Sequence, residues 1–200
     1  MIIKNKYATF VVHKLMGMHY LVVQKWTAPD APSTDGILAS TLLTDAVQLI
    51  TTGITNPDFP RILQIDSDEG GATGNVVITG TNIRGETISD TIALNGTTAV
   101  DGVKAFATVS SIQVPVKAGS ESVWVGWLDK LGLQSIPMTT SVISEDSNNA
   151  ADTGGSVLTR DADEVEKNFF VPTTESDASV DKVIVYISDE KPKKVGAYTQ

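Results

Sequence analysis

The residues best able to do chemistry are acidic and fall into two clusters. Asp66-Ser-Asp68-Glu-Gly70 sets carboxylates at alternate positions ahead of a glycine, as a loop that wraps a hard cation begins. Such a loop needs further oxygen ligands and a bidentate Glu at its twelfth position, which here is Val77. Asp66 and Asp68 are therefore candidate metal ligands, set against a solvated acidic turn, which the ligand count favours. The second cluster, Asp161, Asp163, Glu164 and Glu166, reads as a solvated face, with cation binding as its alternative.

Other reactive patterns stop short of a site. Gly80-x-x-x-x-Gly85 has the glycine spacing of a phosphate loop, but Glu86 follows where a lysine must neutralise phosphate charge. Gly70-Gly-Ala-Thr-Gly74 lacks the strand-loop-helix setting of a dinucleotide site. Nucleophilic catalysis needs a base beside Ser or Thr, yet both histidines, His13 and His19, lie together near the N-terminus, and no Gly-x-Ser-x-Gly elbow occurs. No carboxylate pair stands out for glycoside hydrolysis. The expectation is a non-enzymatic protein with no catalytic residue and no cofactor.

Composition bounds the partners. The chain has 200 residues, 41% of them hydrophobic, and no cysteine. A chain of this size buries roughly 70% of its unfolded surface, so packing can stabilise it without disulfides. A net charge of −9 opposes a polyanion, which makes nucleic acid an unexpected partner. Lys4 and Lys6 precede an apolar run, but His13-Lys14 cuts it short of an export signal, and no stretch approaches a membrane span of about 20 apolar residues. A soluble protein made without export is expected. Lys191, Lys193 and Lys194 form a basic cluster in the polar tail.

The elements that must position these residues read as strands. Tyr7–Val12 and His19–Trp26 suggest a hairpin, and the Pro- and Asp-rich stretch 27–36 a linker, making residues 1–26 a candidate arm for assembly or an edge hairpin folded on the core. Leu38, Leu42, Ala46 and Leu49 follow helical spacing, predicting a short helix within 37–50. Strands follow at Arg61–Asp66, Asn75–Thr81, Glu86–Leu94, Lys104–Pro115 with a bulge at Ser110-Ser111, Glu121–Leu128, Pro137–Ser144 and Asp181–Ser188. Turns are expected at Asn82–Gly85, Asn95-Gly96 and Val100–Gly102, a polar loop at 145–155, and one helical turn within Asp161–Asn168. The fold class is all-β, a β-sandwich or Greek-key-like barrel with an N-terminal hairpin or arm and one or two short helices. The domain plan is an arm and linker over 1–34, a β-sandwich domain over 35–190 with a polar insertion at about 145–180, and a polar tail over 191–200.

Between residues 51 and 133, four phrases stand in a fixed order: Thr51-Thr-Gly-Ile-Thr-Asn-Pro-Asp-Phe-Pro-Arg61, Val77-Ile-Thr-Gly-Thr-Asn82, Gly102-Val-Lys-Ala-Phe-Ala-Thr-Val-Ser-Ser-Ile-Gln-Val-Pro115 and Asp129-Lys-Leu-Gly-Leu133. This order resembles small β-rich virion proteins of tailed bacteriophages and prophages. The resemblance implies a structural protein of the virion, assembled in the host cytoplasm, with a capsid auxiliary or decoration role first. It also implies other virion proteins as partners, the major capsid protein foremost, and a homo-oligomer. A tail, baseplate or head-fibre component, or a carbohydrate- or receptor-binding module, is the alternative. Apolar and aromatic residues of the arm, the strands and the C-terminal excursion supply the interface candidates: Tyr7, Phe10, Val12, Tyr20, Trp26, Trp124, Phe169 and Phe170.

Overall fold

Turn residues cut the chain into short runs of β-branched side chains, and nearly every such run forms a strand. The computed structural model describes residues 2–4, 9–14, 19–140, 142–148, 150–151, 157–188 and 190. In chain order the strands are β1 (Ile2–Lys4), β2 (Thr9–Lys14), β3 (Tyr20–Trp26), β4 (Ser33–Leu42), β5 (Gln48–Ile50), β6 (Arg61–Ser67), β7 (Asn75–Thr81) and β8 (Thr87–Ala93). They continue with β9 (Val100–Phe106), β10 (Thr108–Val114), β11 (Ser122–Gly132), β12 (Ser144–Ser147), β13 (Ala150–Ala151), β14 (Val157–Thr159), β15 (Phe169–Val171) and β16 (Lys182–Ser188). A single 3₁₀ turn, Val165–Lys167, is the only helical element among the described residues. The protein is all-β and β-sandwich-like.

The strands make three sheets among the described residues, and every pairing between them is antiparallel. A sheet of order β5-β10-β7-β8 faces one of order β14-β15-β11-β6-β9, with β4 paired to β11. Between these two lies the larger core, built from alternate residues such as Leu63 and Ile65 of β6, Val76 and Ile78 of β7, Ile88 and Ile92 of β8 and Val123 and Val125 of β11. The third sheet, β1-β2-β3-β16-β12-β13, packs against the far end of the second and encloses another core of Val22, Trp26, Leu131, Phe170, Ile184 and Tyr186. Because β11 is 11 residues long, its first half fills one core and Leu131 the other.

Close approach explains one glycine in that strand. Gly126 lies where β4 crosses β11, and a Cβ there would collide with the backbone carbonyl of Ser33. Only a residue without a side chain lets the two backbones meet.

Several expectations change. Residues 37–50 are strand, not helix: β4 runs through Ile37 and Leu38 to pair with β11, while Leu42 and Leu49, which a helix would have buried with Leu38, are 59% and 65% exposed. Pairing with β11 outweighs a weak helical periodicity in a Thr-rich segment. Residues 1–26 do not form a free arm as far as they are described, since β3 pairs along its whole length with β16 and places Val22 and Trp26 in the core. The linker is likewise fastened: Ala28 N–H donates to Asp181, Ala178 N–H to the Pro29 carbonyl, and the Trp127 indole to the Ala31 carbonyl. Val100–Gly102 begins β9 instead of forming a turn, and the loop expected over 145–155 contains β12 and β13. Lys104–Pro115 is split at Ala107 into strands of two different sheets. The register does shift between Val109 and Ser111, where the bulge was expected.

Polar groups bind the elements where apolar packing ends. Arg61 is fully buried, and its guanidinium grips Asp58 twice, at 2.7 and 2.9 Å, and donates to the Asp30 carbonyl at 2.7 Å. Asp129 lies 3.6 Å from the same group and accepts both the N–H and the hydroxyl of Ser176 at 2.7 Å. Glu145 holds Thr173 in the same two-point way, and buried Lys182 donates to the Thr174 carbonyl. Between the second and third sheets, Gln24 donates to the Gly132 carbonyl and Ser135 meets Tyr186, whose phenol burial pushes to a higher pKa.

Replacing Arg61 leaves two carboxylates without their buried cation, so Arg61→Ala is expected to cost about 3–5 kcal/mol in urea unfolding. Trp26, stacked on Phe170 at 5.7 Å between ring centroids, tests the place of β3 in the core. Trp26→Ala should cost about 3–5 kcal/mol by the same measurement, whereas truncating a surface-arm residue would cost almost nothing.

Candidate functional site

The residues proposed from sequence separate into interior, groove and surface positions. Trp26 and Phe170 have no solvent exposure and stack on each other, so they join sheets within this chain instead of facing a partner. Tyr20 is half-buried against the same core. Phe10 and Val12 lie on β2, but their side chains, like all of Tyr7, fall outside the described residues, as does the tail with Lys191, Lys193 and Lys194.

Strand register brings Asp66 and Trp124 directly opposite each other on β6 and β11. With Thr34, Asp35 and Ser40 they line an open groove of about 200 Å³. Asp66 accepts the Ser67 N–H at 2.8 Å, while Asp68 accepts the Ser122 N–H at 2.7 Å and so extends the β6–β11 ladder. These two carboxylates organise backbone, and among the described residues no group of three or more His, Cys, Asp or Glu is placed to hold a metal ion.

A second groove, of about 280 Å³, lies where β9 meets the C-terminal excursion. Thr159, Arg160, Asp161, Lys167 and half-buried Phe169 are among its lining. The Lys130 ammonium stands 5.7 Å from the Phe169 ring centroid and pairs with Asp101 at 2.6 Å. Asp161 is held by N–H groups of Glu164 and Asp163, which lower its pKa.

Behind this groove sits a charged cluster that sequence reasoning dispersed. Lys104 of β9 pairs with Glu164 at 2.8 Å and with Glu166 at 3.4 Å, and Glu164 also binds Lys167 at 2.5 Å. Glu166 is not on a solvated face: it is 8% exposed, and its other oxygen accepts the Asn82 amide at 3.3 Å. Asn82 itself shapes the β7–β8 turn, its carbonyl oxygen accepting Arg84 N–H and Glu86 N–H, with Gly85 supplying the positive φ of 78°. Asn82, Lys104 and Glu166 come from three distant stretches of chain, so no local spacing could reveal their meeting. The hydrogen bond from Lys104 lowers the Glu164 pKa, and the same bond raises that of Lys104.

No protein family, curated protein or solved structure matches the chain. Among the described residues no helix is long and apolar enough to cross a membrane.

The surface also carries an apolar edge. Leu42, Val47, Leu49 and Val116 are each between 47% and 65% exposed. They lie where residues 42–50 run beside 112–122, through the pairs Ser122–Leu42 and Val114–Gln48 and the bond from Lys117 N–H to the Thr44 carbonyl. β5 is an edge strand of its sheet and presents Leu49 outward.

The pH dependence of the charged cluster follows from the two directions of shift. A lowered Glu164 stabilises the fold above the ordinary glutamate range and loses that contribution as pH falls through its depressed titration. A raised Lys104 stabilises below the ordinary lysine range and loses its contribution as pH rises. Glu164→Gln should therefore be less stable than the parent by about 0.2–1 kcal/mol between about pH 4.3 and about pH 10.4, with the gap closing outside that window and in high salt. Urea midpoints measured across pH check this.

Proposed function

We propose that this chain is a non-enzymatic structural protein of a tailed-phage virion, most simply a capsid auxiliary or decoration subunit that docks on the assembled shell. The major capsid protein is then its partner, and several copies form a closed oligomer. The observation that carries the reading is the apolar edge of Leu42, Val47, Leu49 and Val116, whose aliphatic side chains stand in water around an edge strand. Exposed aliphatic side chains along an edge strand suit contact with another protein. The order of phrases across residues 51–133 supports the same reading, and repetition on a shell lets modest contacts add up.

A second reading rests on the Phe169 groove. An aromatic face beside Thr159, Arg160 and Asp161 combines ring stacking with polar donors and acceptors, a combination that suits a sugar. That favours a receptor-binding module carried on a virion appendage.

Removing residues 1–26 would strip β3 from its sheet and unfold the core, so a surface change is the informative one. The paired substitution Leu42→Lys and Leu49→Lys is expected to leave the free energy of urea unfolding within about 0.5 kcal/mol of the parent. It should reduce both oligomer mass and the copies retained on purified heads, counted by imaging at residue resolution. Unchanged incorporation would remove this edge from the contact, and absence of the parent from heads, with binding to host glycans at an appendage, would favour the second reading.

A further inference from the structure

Asn82, Lys104 and Glu166 meet in an arrangement that a structural ion pair does not require. Glu166 is 8% exposed, and its two oxygens face different partners: one lies 3.4 Å from the Lys104 amine, the other accepts the Asn82 amide N–H at 3.3 Å. One carboxylate thus bridges a nucleophile and an amide. We propose that Lys104 and Asn82 condense into an intramolecular isopeptide bond, with Glu166 carrying the proton between them.

The surroundings of Asn82 suit attack at its side-chain carbonyl carbon. Asn82 is 1% exposed, and its Oδ1 accepts two backbone N–H groups, from Arg84 at 2.8 Å and Glu86 at 3.1 Å. Charge develops on this oxygen as the carbon becomes tetrahedral, and paired backbone donors stabilise it there. The departing nitrogen, Nδ2, is also held, by Glu86 at 2.9 Å and by Glu166. Ile83 and Val165, the chain neighbours of Asn82 and Glu166, are buried together with Ala107 and keep bulk water from competing for the carbon.

The bonds balance without any further reactant. Lys104 starts as an ammonium, because pairing with Glu164 raises its pKa, so the first event is loss of one proton to Glu166. The Nζ lone pair then forms a bond to Cγ of Asn82. Glu166 returns that proton to Nδ2 and takes up the second Nζ proton, the Cγ–Nδ2 bond breaks, and the departing ammonia carries the second proton away as ammonium. A primary amide and an amine become a secondary amide, with no change of oxidation state. Starting from a paired ammonium makes this a slow maturation of each molecule, not a turnover.

The bond would join the β7–β8 turn to β9, which belong to the two facing sheets of the larger core. It would convert a hydrogen-bonded junction into a covalent tie between the layers.

Mass spectrometry of the full chain decides the matter. After incubation at mildly alkaline pH and a temperature short of unfolding, the parent should be lighter than its sequence by one ammonia. A protease digest should yield one branched peptide joining residues 82 and 104. Lys104→Arg and Asn82→Ala should each stay at their sequence masses, and Glu166→Gln, which retains both reacting groups, should condense at least tenfold more slowly. A parent that remains at its sequence mass with no branched peptide overturns the proposal, and simple deamidation of Asn82 would be recognised by a small mass gain instead of a loss. Equal condensation in Glu166→Gln would overturn the role given to that carboxylate.

Discussion

A guanidinium without solvent exposure sits where the chain's least regular segments converge. Arg61 opens β6 and reaches Asp58 before it, the Asp30 carbonyl on the connection between β3 and β4, and Asp129 within β11. Burying a cation is costly unless carboxylates and carbonyls replace its water, and here they do so from three stretches of chain. The interaction therefore selects one path for the Pro-rich connection out of the many that its composition allows. Through Asp129 and Ser176 the same charge holds the segment leading into β16, so the third sheet is placed against the second by a polar clamp as well as by Trp26 and Phe170.

The long strand β11 distributes that constraint. It pairs with β4, β6 and β15, and contributes to both cores. With its Phe169 and Phe170, β15 anchors the excursion between β12 and β16, and this anchoring carries the 3₁₀ turn to β9, where Glu166 meets Lys104 and Asn82. A groove, a charged cluster and a stacked aromatic pair thus depend on one strand's length. In the apolar edge, Leu49 of β5 belongs to the first sheet, whereas Leu42 of β4 pairs with β11 in the second, the sheet that also carries β9.

Contact through aliphatic side chains asks for area and repetition, not for a poised base or a bound ion. A covalent tie between layers would strengthen the fold without altering that contact.

The sequence alone determined the all-β class, the limits of β7 and nearly those of β6, β8 and β16, and the bulge in β10. These follow from period-two alternation and from turn residues, both local in the chain. It offered Phe169 and Phe170 as interface candidates, although Phe170 is core. It could not separate strand from helix over 37–50, because Leu38, Leu42, Ala46 and Leu49 fit helical spacing and only the partner strand β11 decides against it. Nor could it tell that Trp26 is core, that residues 27–32 are fastened by Arg61 and Asp181, or that Glu166 is buried beside Lys104 and Asn82. Those facts join residues scores of positions apart, and only tertiary packing brings such groups within a hydrogen bond's length.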